Sequence, residues 1–141
     1  MRPRLAAVSA ATLLCLAGAT GAAEAAPASL YAPSAVVLTV TEGDDAAAGT
    51  VLRATVLSCA YTAEGTHPDP RAACDALDAT GGELNRLVSA PASDRACPLY
   101  YDPVTVTADG VWRGSRLAWK HTFSNGCAMS AALNGNPLYA F

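Results

Sequence analysis

Cys97-Pro98-Leu99-Tyr100-Tyr101-Asp102-Pro103 reads as a stiffened loop, and the Val104-Thr105-Val106-Thr107 behind it as a half-buried strand. A cysteine pins one end of the loop. Each proline restricts its own φ and biases the residue before it, Cys97 or Asp102, towards extended geometry. Leu99, Tyr100 and Tyr101 are three large side chains in a row. In a core strand they would continue into more apolar chain. Here Asp-Pro closes them off, and the small, polar Ala90-Pro91-Ala92-Ser93-Asp94-Arg95 precedes them. The reading is an exposed apolar run at the tip of a tethered loop.

On either side the chain alternates as sheet strands do. Val36 to Thr41 carries Val36, Leu38 and Val40 on one face, and Val51 to Cys59 alternates Leu52, Ala54 and Val56 with Arg53 and Thr55. The acidic turn Glu42 to Gly49 between them suits an antiparallel hairpin. Asp69-Pro70 is a helix start, an N-cap acceptor followed by proline at the first helical position. It predicts a helix over Ala72 to Ala79, loosened by Gly81-Gly82, with one or two further turns over Glu83 to Val88. Behind the loop, Ala108-Asp109-Gly110 predicts a hairpin turn, because Asp-Gly is a strong short-range turn signal. Val111 to Phe123 is then the longest strand, with Leu117, Trp119, His121 and Phe123 on one face and a bulge or bend at Gly114. Ser124-Asn125-Gly126-Cys127 turns the chain, Ala128 to Leu133 is a short helix, and Leu138 to Phe141 a terminal strand fragment. The expected class is α+β: an antiparallel sheet of about five strands with one or two helices on one face.

The start of the chain has a different purpose. Arg2 and Arg4 precede an uncharged apolar run from Leu5 to Ala19, and Ala23-Glu24-Ala25 is an A-x-A cleavage pattern. This is the organisation of a secretory signal peptide, too short and wrongly flanked for a membrane span. Residues 1–25 are expected to be removed, leaving one extracellular domain over 26–141. Five cysteines then become four, Cys59, Cys74, Cys97 and Cys127, which in an exported domain read as two disulfides. Three pairings are open; the sequential one closes short loops. A zinc site is the rival reading, but there is no C-x-x-C pair and the compartment is oxidising. The mature chain carries seven Lys/Arg against eleven Asp/Glu, a balance of −4 with no basic cluster, which excludes nucleic acid as a natural partner. No membrane partner and no cofactor are expected.

Nothing in the sequence points to an enzyme. There is no Gly-x-Ser-x-Gly elbow and no H-E-x-x-H pair. His67 reads as a turn residue beside Pro68, and His121 as a strand-face residue. Trp112 and Trp119 read as sheet core or a dimer face, and Glu42 to Asp45 as a solvated loop. What remains is Leu-Tyr-Tyr, which a protease with an apolar primary pocket would accept as substrate.

The residues also carry a family resemblance. Leu30-Tyr31-Ala32-Pro33-Ser34, Gly65-Thr66-His67-Pro68, Ala73-Cys74, Gly81-Gly82-Glu83-Leu84-Asn85, Cys97-Pro98, Tyr101-Asp102-Pro103-Val104, Asp109-Gly110-Val111-Trp112, Phe123-Ser124-Asn125 and Phe141 follow one another in the order found in the Streptomyces subtilisin inhibitor family. The chain resembles that family of secreted serine-protease inhibitors over nearly all of its mature length. The resemblance implies a five-stranded antiparallel sheet with two helices packed on one face, sequential disulfides, Cys59–Cys74 and Cys97–Cys127, and a homodimer joined sheet to sheet. It implies a reactive bond at Leu99–Tyr100 within a protease-binding loop Ala96-Cys97-Pro98-Leu99-Tyr100-Tyr101-Asp102-Pro103. Leu99 is then P1, the side chain that enters the protease's primary pocket, with Pro98 at P2, Cys97 at P3, Ala96 at P4 and Tyr100 at P1′. Leucine at P1 suits subtilisin-like and chymotrypsin-like pockets and not trypsin's, which wants Lys or Arg. The inhibitor itself contributes no catalytic residue and no metal. The competing expectation is a secreted binding or surface module without inhibitory activity, which a buried Leu99–Tyr100 bond would favour.

Overall fold

The computed structural model describes residues 32–89 and 94–141; the expected leader, Leu30-Tyr31 and Ala90–Ser93 lie outside the described residues. Five strands and three α-helices follow in the order β1 (Ala35–Glu42), β2 (Val51–Ser58), β3 (Glu64–Gly65), α1 (Pro70–Thr80), α2 (Asn85–Ser89), β4 (Val104–Trp112), β5 (Ser115–Phe123) and α3 (Gly126–Leu133), with a 3₁₀ turn at Pro137–Tyr139. The strands form one antiparallel sheet ordered β3-β2-β1-β4-β5.

The period-2 alternation in β1 sets the layers. Val36, Leu38 and Val40 are fully buried and sit in register with Leu57 and Thr55 of β2 and with Ala108 and Val106 of β4. Ala73 and Leu77 of α1, Leu84, Leu87 of α2, Leu133 of α3 and Leu138 close the core over that face. Helix α1 begins and ends as its sequence dictates. The Asp69 carboxylate accepts from the Ala72 N–H at 3.0 Å, Pro70 fills the first turn, and Gly81 ends the helix in the left-handed region at φ 64°. The Cys59–Cys74 disulfide joins the end of β2 to α1 with a Cα–Cα distance of 5.6 Å.

Among the described residues, no helix packs on the opposite face of the sheet. Val37 and Val56, paired across β1 and β2, are each about half exposed. Thr39 and Thr107 share a hydroxyl–hydroxyl hydrogen bond at 2.7 Å beside them. One end of this face is roofed by the β1–β2 connection, where the Thr105 hydroxyl donates to the Gly43 carbonyl at 2.7 Å.

Two expectations are corrected. The hairpin does not turn at Ala108-Asp109-Gly110; β4 runs through them to Trp112, and the turn is Arg113-Gly114, with Trp112 opposite Ser115. Pairing with β1 overrides the local Asp-Gly signal, because the ladder continues to Ala35 opposite Val111. Gly110 serves close backbone approach instead: a β-carbon there would lie 2.1 Å from the Ala35 carbonyl oxygen. Arg113 and Gly114 both have positive φ, 47° and 81°, as a tight two-residue hairpin requires. Arg113 is held in that unfavourable conformation by its N–H to the Ser34 hydroxyl (2.9 Å), by its guanidinium on Asp78, and by stacking over Trp112. The second correction is at the end of the chain. Leu138 to Phe141 forms no strand. Asn136 accepts from the Leu138 N–H at 3.0 Å and starts the 3₁₀ turn, which buries Leu138 and Tyr139 in the core. The Tyr139 hydroxyl donates to the Thr107 carbonyl at 2.8 Å, and burial, then the Asp109 carboxylate, hold the phenol far above its ordinary pKa. The fifth strand is Glu64–Gly65, which pairs with Leu57 and Ser58 of β2.

Candidate reactive loop

From Asp94 to Pro103 the backbone takes no regular structure, and Leu99 at its tip is fully exposed. Tyr100 and Tyr101 are 57 % and 68 % exposed. Three large apolar side chains facing water cost the fold the burial they would otherwise gain, roughly 1.5–3 kcal/mol for each residue of leucine size. Such an arrangement calls for a use outside the fold.

The backbone beneath these side chains is fixed at several points. The Cys97–Cys127 disulfide ties the N-terminal side of the loop to the first turn of α3, Cα–Cα 5.6 Å. On the C-terminal side the Asp102 N–H donates to the Ser124 carbonyl at 2.9 Å, and the Gly43 N–H donates to the Pro103 carbonyl at 2.8 Å. Between these anchors sits Asn125, only 1 % exposed. Its side-chain carbonyl caps α3 by accepting from the Ala128 N–H at 2.9 Å. Its side-chain amide donates to the Pro98 and Tyr100 carbonyls, 3.0 Å each. One buried side chain thus grips the backbone on both sides of the Leu99–Tyr100 bond while both of its own polar atoms are satisfied.

The structure therefore brings Ala96, Cys97, Pro98, Leu99, Tyr100, Tyr101, Asp102 and Pro103 into one projecting segment. Asn125 escaped the sequence reading, which took Ser124-Asn125-Gly126-Cys127 as a turn. A signal was present: an N-cap residue two positions before the cysteine that holds the loop must lie under it. The histidines have structural surroundings. Buried His67 accepts the Asp69 N–H on Nδ1 at 3.1 Å with its ring edge-on to Phe141, and His121 stacks on Trp119. Trp112 is buried, and Trp119 is half-buried and donates to the Asn85 side-chain carbonyl at 2.8 Å. Among the described residues no three His, Cys, Asp or Glu side chains converge as metal ligands, and no helix is long and apolar enough to cross a membrane.

The chain matches known proteins over this same architecture. Residues 32–125 match the model of a family described as subtilisin inhibitor-like. Subtilisin inhibitor-like protein 8 of Streptomyces virginiae is 62 % identical over 111 residues, covering 79 % of this chain and all of the relative. Trypsin inhibitor STI2 of Streptomyces longisporus is 51 % identical over 127 residues, covering 86 % and 85 %. Among solved structures, Streptomyces caespitosus sermetstatin, crystallised in complex with Bacillus licheniformis subtilisin, superimposes with a TM-score of 0.74 at 71 % identity, over 77 % of this chain and 99 % of that one. Fold, disulfide-tied loop and sequence agree: the chain belongs to the subtilisin inhibitor-like family.

Proposed function

We propose that this chain inhibits subtilisin-like serine endopeptidases by offering Leu99–Tyr100 as a scissile bond that is cut slowly and resealed. The observation that carries the reading is the contrast at the loop tip. The Leu99 side chain touches water alone, while the carbonyls of its neighbours are held by a buried amide. A flexible peptide loses conformational entropy when a protease straightens it, and this loop has lost much of it in folding, so more of the contact energy appears as affinity. The protease serine attacks the Leu99 carbonyl carbon, and backbone N–H donors of the enzyme stabilise the oxyanion. In an ordinary substrate the amine half then departs and water enters. Here Tyr100 continues into Asp102, Pro103 and β4, and Leu99 is tied through Cys97–Cys127. The amine of Tyr100 stays beside the acyl carbon at high effective concentration, and religation outruns hydrolysis. The fully exposed Leu99 does not favour the non-inhibitory binding module.

Three further parts belong to the proposal. Residues 1–25 direct export and are removed, which suits two disulfides formed in an oxidising compartment. Leu99 directs the loop to apolar pockets and away from trypsin, and small Ala96 at P4 makes weak use of a large apolar P4 site. A second copy covers the open sheet face around Val37 and Val56, whose exposed valines are otherwise unpartnered. Titration of subtilisin with mature protein tests the central claim. Activity should fall in proportion to inhibitor added, with any slow cut found only at Leu99–Tyr100; rapid digestion without inhibition refutes it. Sedimentation of the mature chain and of Val37→Asp tests the dimer: the parent should run as two copies and the variant as one.

A further inference from the structure

We propose that Arg95–Ala96 is a nicking site for trypsin-like endopeptidases, and that nicking there leaves inhibition at Leu99 dependent on the Cys97–Cys127 disulfide. The second half rests on the inhibitory reading above; the first does not. A protease can engage a bond only where the chain is accessible and can be laid out straight, so bonds within helices and sheets must first unfold locally. Among the described residues there are seven Lys and Arg side chains. Arg53 is in β2, Arg71 in α1, Arg86 in α2, and Arg116 and Lys120 in β5. Arg113 occupies a two-residue hairpin at φ 47°, with its guanidinium already on Asp78 and over Trp112. Arg95 alone lies outside helix, strand and hairpin, in the exposed run Asp94-Arg95-Ala96. A trypsin-like pocket takes its arginine.

The position of this bond relative to the disulfide gives the cut its consequence. Hydrolysis adds one water, leaving a carboxylate on Arg95 and an ammonium on Ala96. Leu99 loses its chain connection to α2, because only Ala96, Cys97 and Pro98 now precede it. In the intact protein a cut at Leu99–Tyr100 leaves the acyl half held twice, through the chain towards α2 and through Cys97–Cys127. In the nicked protein the same cut leaves Ala96–Leu99 held covalently by the disulfide alone, assisted by the Asn125 hydrogen bond to the Pro98 carbonyl. Nicked inhibitor is therefore active while oxidised and becomes substrate when that one bond is reduced.

The experiment uses mature protein treated with catalytic amounts of trypsin, mass mapping of the products, and subtilisin titration of intact and nicked forms with and without dithiothreitol. Arg95–Ala96 should be cut before any other Lys or Arg bond, and Arg95→Gln should remain whole and fully inhibitory. Oxidised nicked protein should titrate subtilisin like the intact form. Reduced nicked protein should weaken by ~100-fold or more as the tether's effective concentration is lost, with Ala96–Leu99 released as a free acid. Because dithiothreitol also reaches Cys59–Cys74, a Cys97→Ala/Cys127→Ala variant, nicked in the same way, should reproduce the loss without reductant. Earlier cutting elsewhere, stoichiometric blocking of trypsin itself, loss of inhibition in the oxidised nicked form, or equal inhibition by reduced nicked and reduced intact protein overturns the proposal. Failure of the intact, oxidised control to inhibit subtilisin would instead refute the inhibitory reading and leave the nicking result standing.

Discussion

Replacing Asn125 with serine separates two jobs that one side chain performs. Asn125 caps α3 through its carbonyl oxygen and braces the loop through its amide. Serine is as good an N-cap as asparagine, so the helix should keep its start. Serine cannot span to both Pro98 and Tyr100, so the loop loses two hydrogen bonds. At about 1 kcal/mol net each, the bound geometry becomes harder to reach by ~2 kcal/mol, which is about 30-fold in Kd. Alanine at the same position removes the cap as well, costing about 1 kcal/mol more in folding stability and lowering Tm by roughly 4 °C in a domain of this size. The assay is a subtilisin titration with a slow-dissociation phase, run beside thermal unfolding of the three proteins. Asn125→Ser should inhibit more weakly, be hydrolysed faster at Leu99–Tyr100 and lose at most ~2 kcal/mol of folding stability with the two hydrogen bonds; Asn125→Ala should add the thermal loss of the cap. An Asn125→Ser protein with parental Kd and complex lifetime would show that the disulfide alone positions the loop, and the bracing argument would be wrong.

Leu99→Asp should leave stability within ~0.5 kcal/mol, because an exposed side chain carries no packing, yet abolish subtilisin inhibition; an unchanged titration would remove Leu99 from the P1 position. Leu99→Lys, made together with Arg95→Gln to remove the nicking site, should gain trypsin inhibition, and if trypsin is not blocked, the rest of the loop sets the target. Gly110→Ala should destabilise by about 2–3 kcal/mol by forcing a β-carbon onto the Ala35 carbonyl, read as a lower denaturant midpoint; a neutral result would mean β1 and β4 can separate freely. Tyr139 stays protonated in the folded protein above the pH at which a free phenol ionises, so above about pH 10 the unfolded chain binds fewer protons and stability falls as pH rises. Tyr139→Phe should flatten that alkaline fall while losing about 1 kcal/mol at neutral pH with the Thr107 hydrogen bond; a parallel alkaline profile would assign the fall to other groups.

Most of the sheet was legible because burial on one side imposes a period of two, and β1 shows it from Ala35 to Val40. Helix α1 was legible because Asp69-Pro70 and Gly81 are punctuation that acts locally. The hairpin at Arg113-Gly114 was not. Asp-Gly is the stronger local signal, and only the register with β1, a long-range pairing, shows that the strand must run past it. Arg113 in the left-handed region has no local justification, since the partners that hold it, Ser34 and Asp78, lie far away in sequence. The loop could be read because Asp102-Pro103 closes an apolar run that a core strand would have continued. The role of Asn125 could not, because a cap looks alike in sequence whether or not its amide reaches a second segment.

The fold constrains Leu99 and Asn125 in opposite ways. The leucine side chain is fully exposed, so the fold is indifferent to what a mutation puts there. Asn125 satisfies one helix donor and two loop carbonyls from a buried position, and few residues can do all three. A substitution at position 99 therefore passes through no unstable intermediate, whereas one at position 125 gives up hydrogen bonds of the fold. On the inhibitory reading proposed above, a binding specificity that can change without endangering the fold would let such an inhibitor follow proteases that themselves diversify.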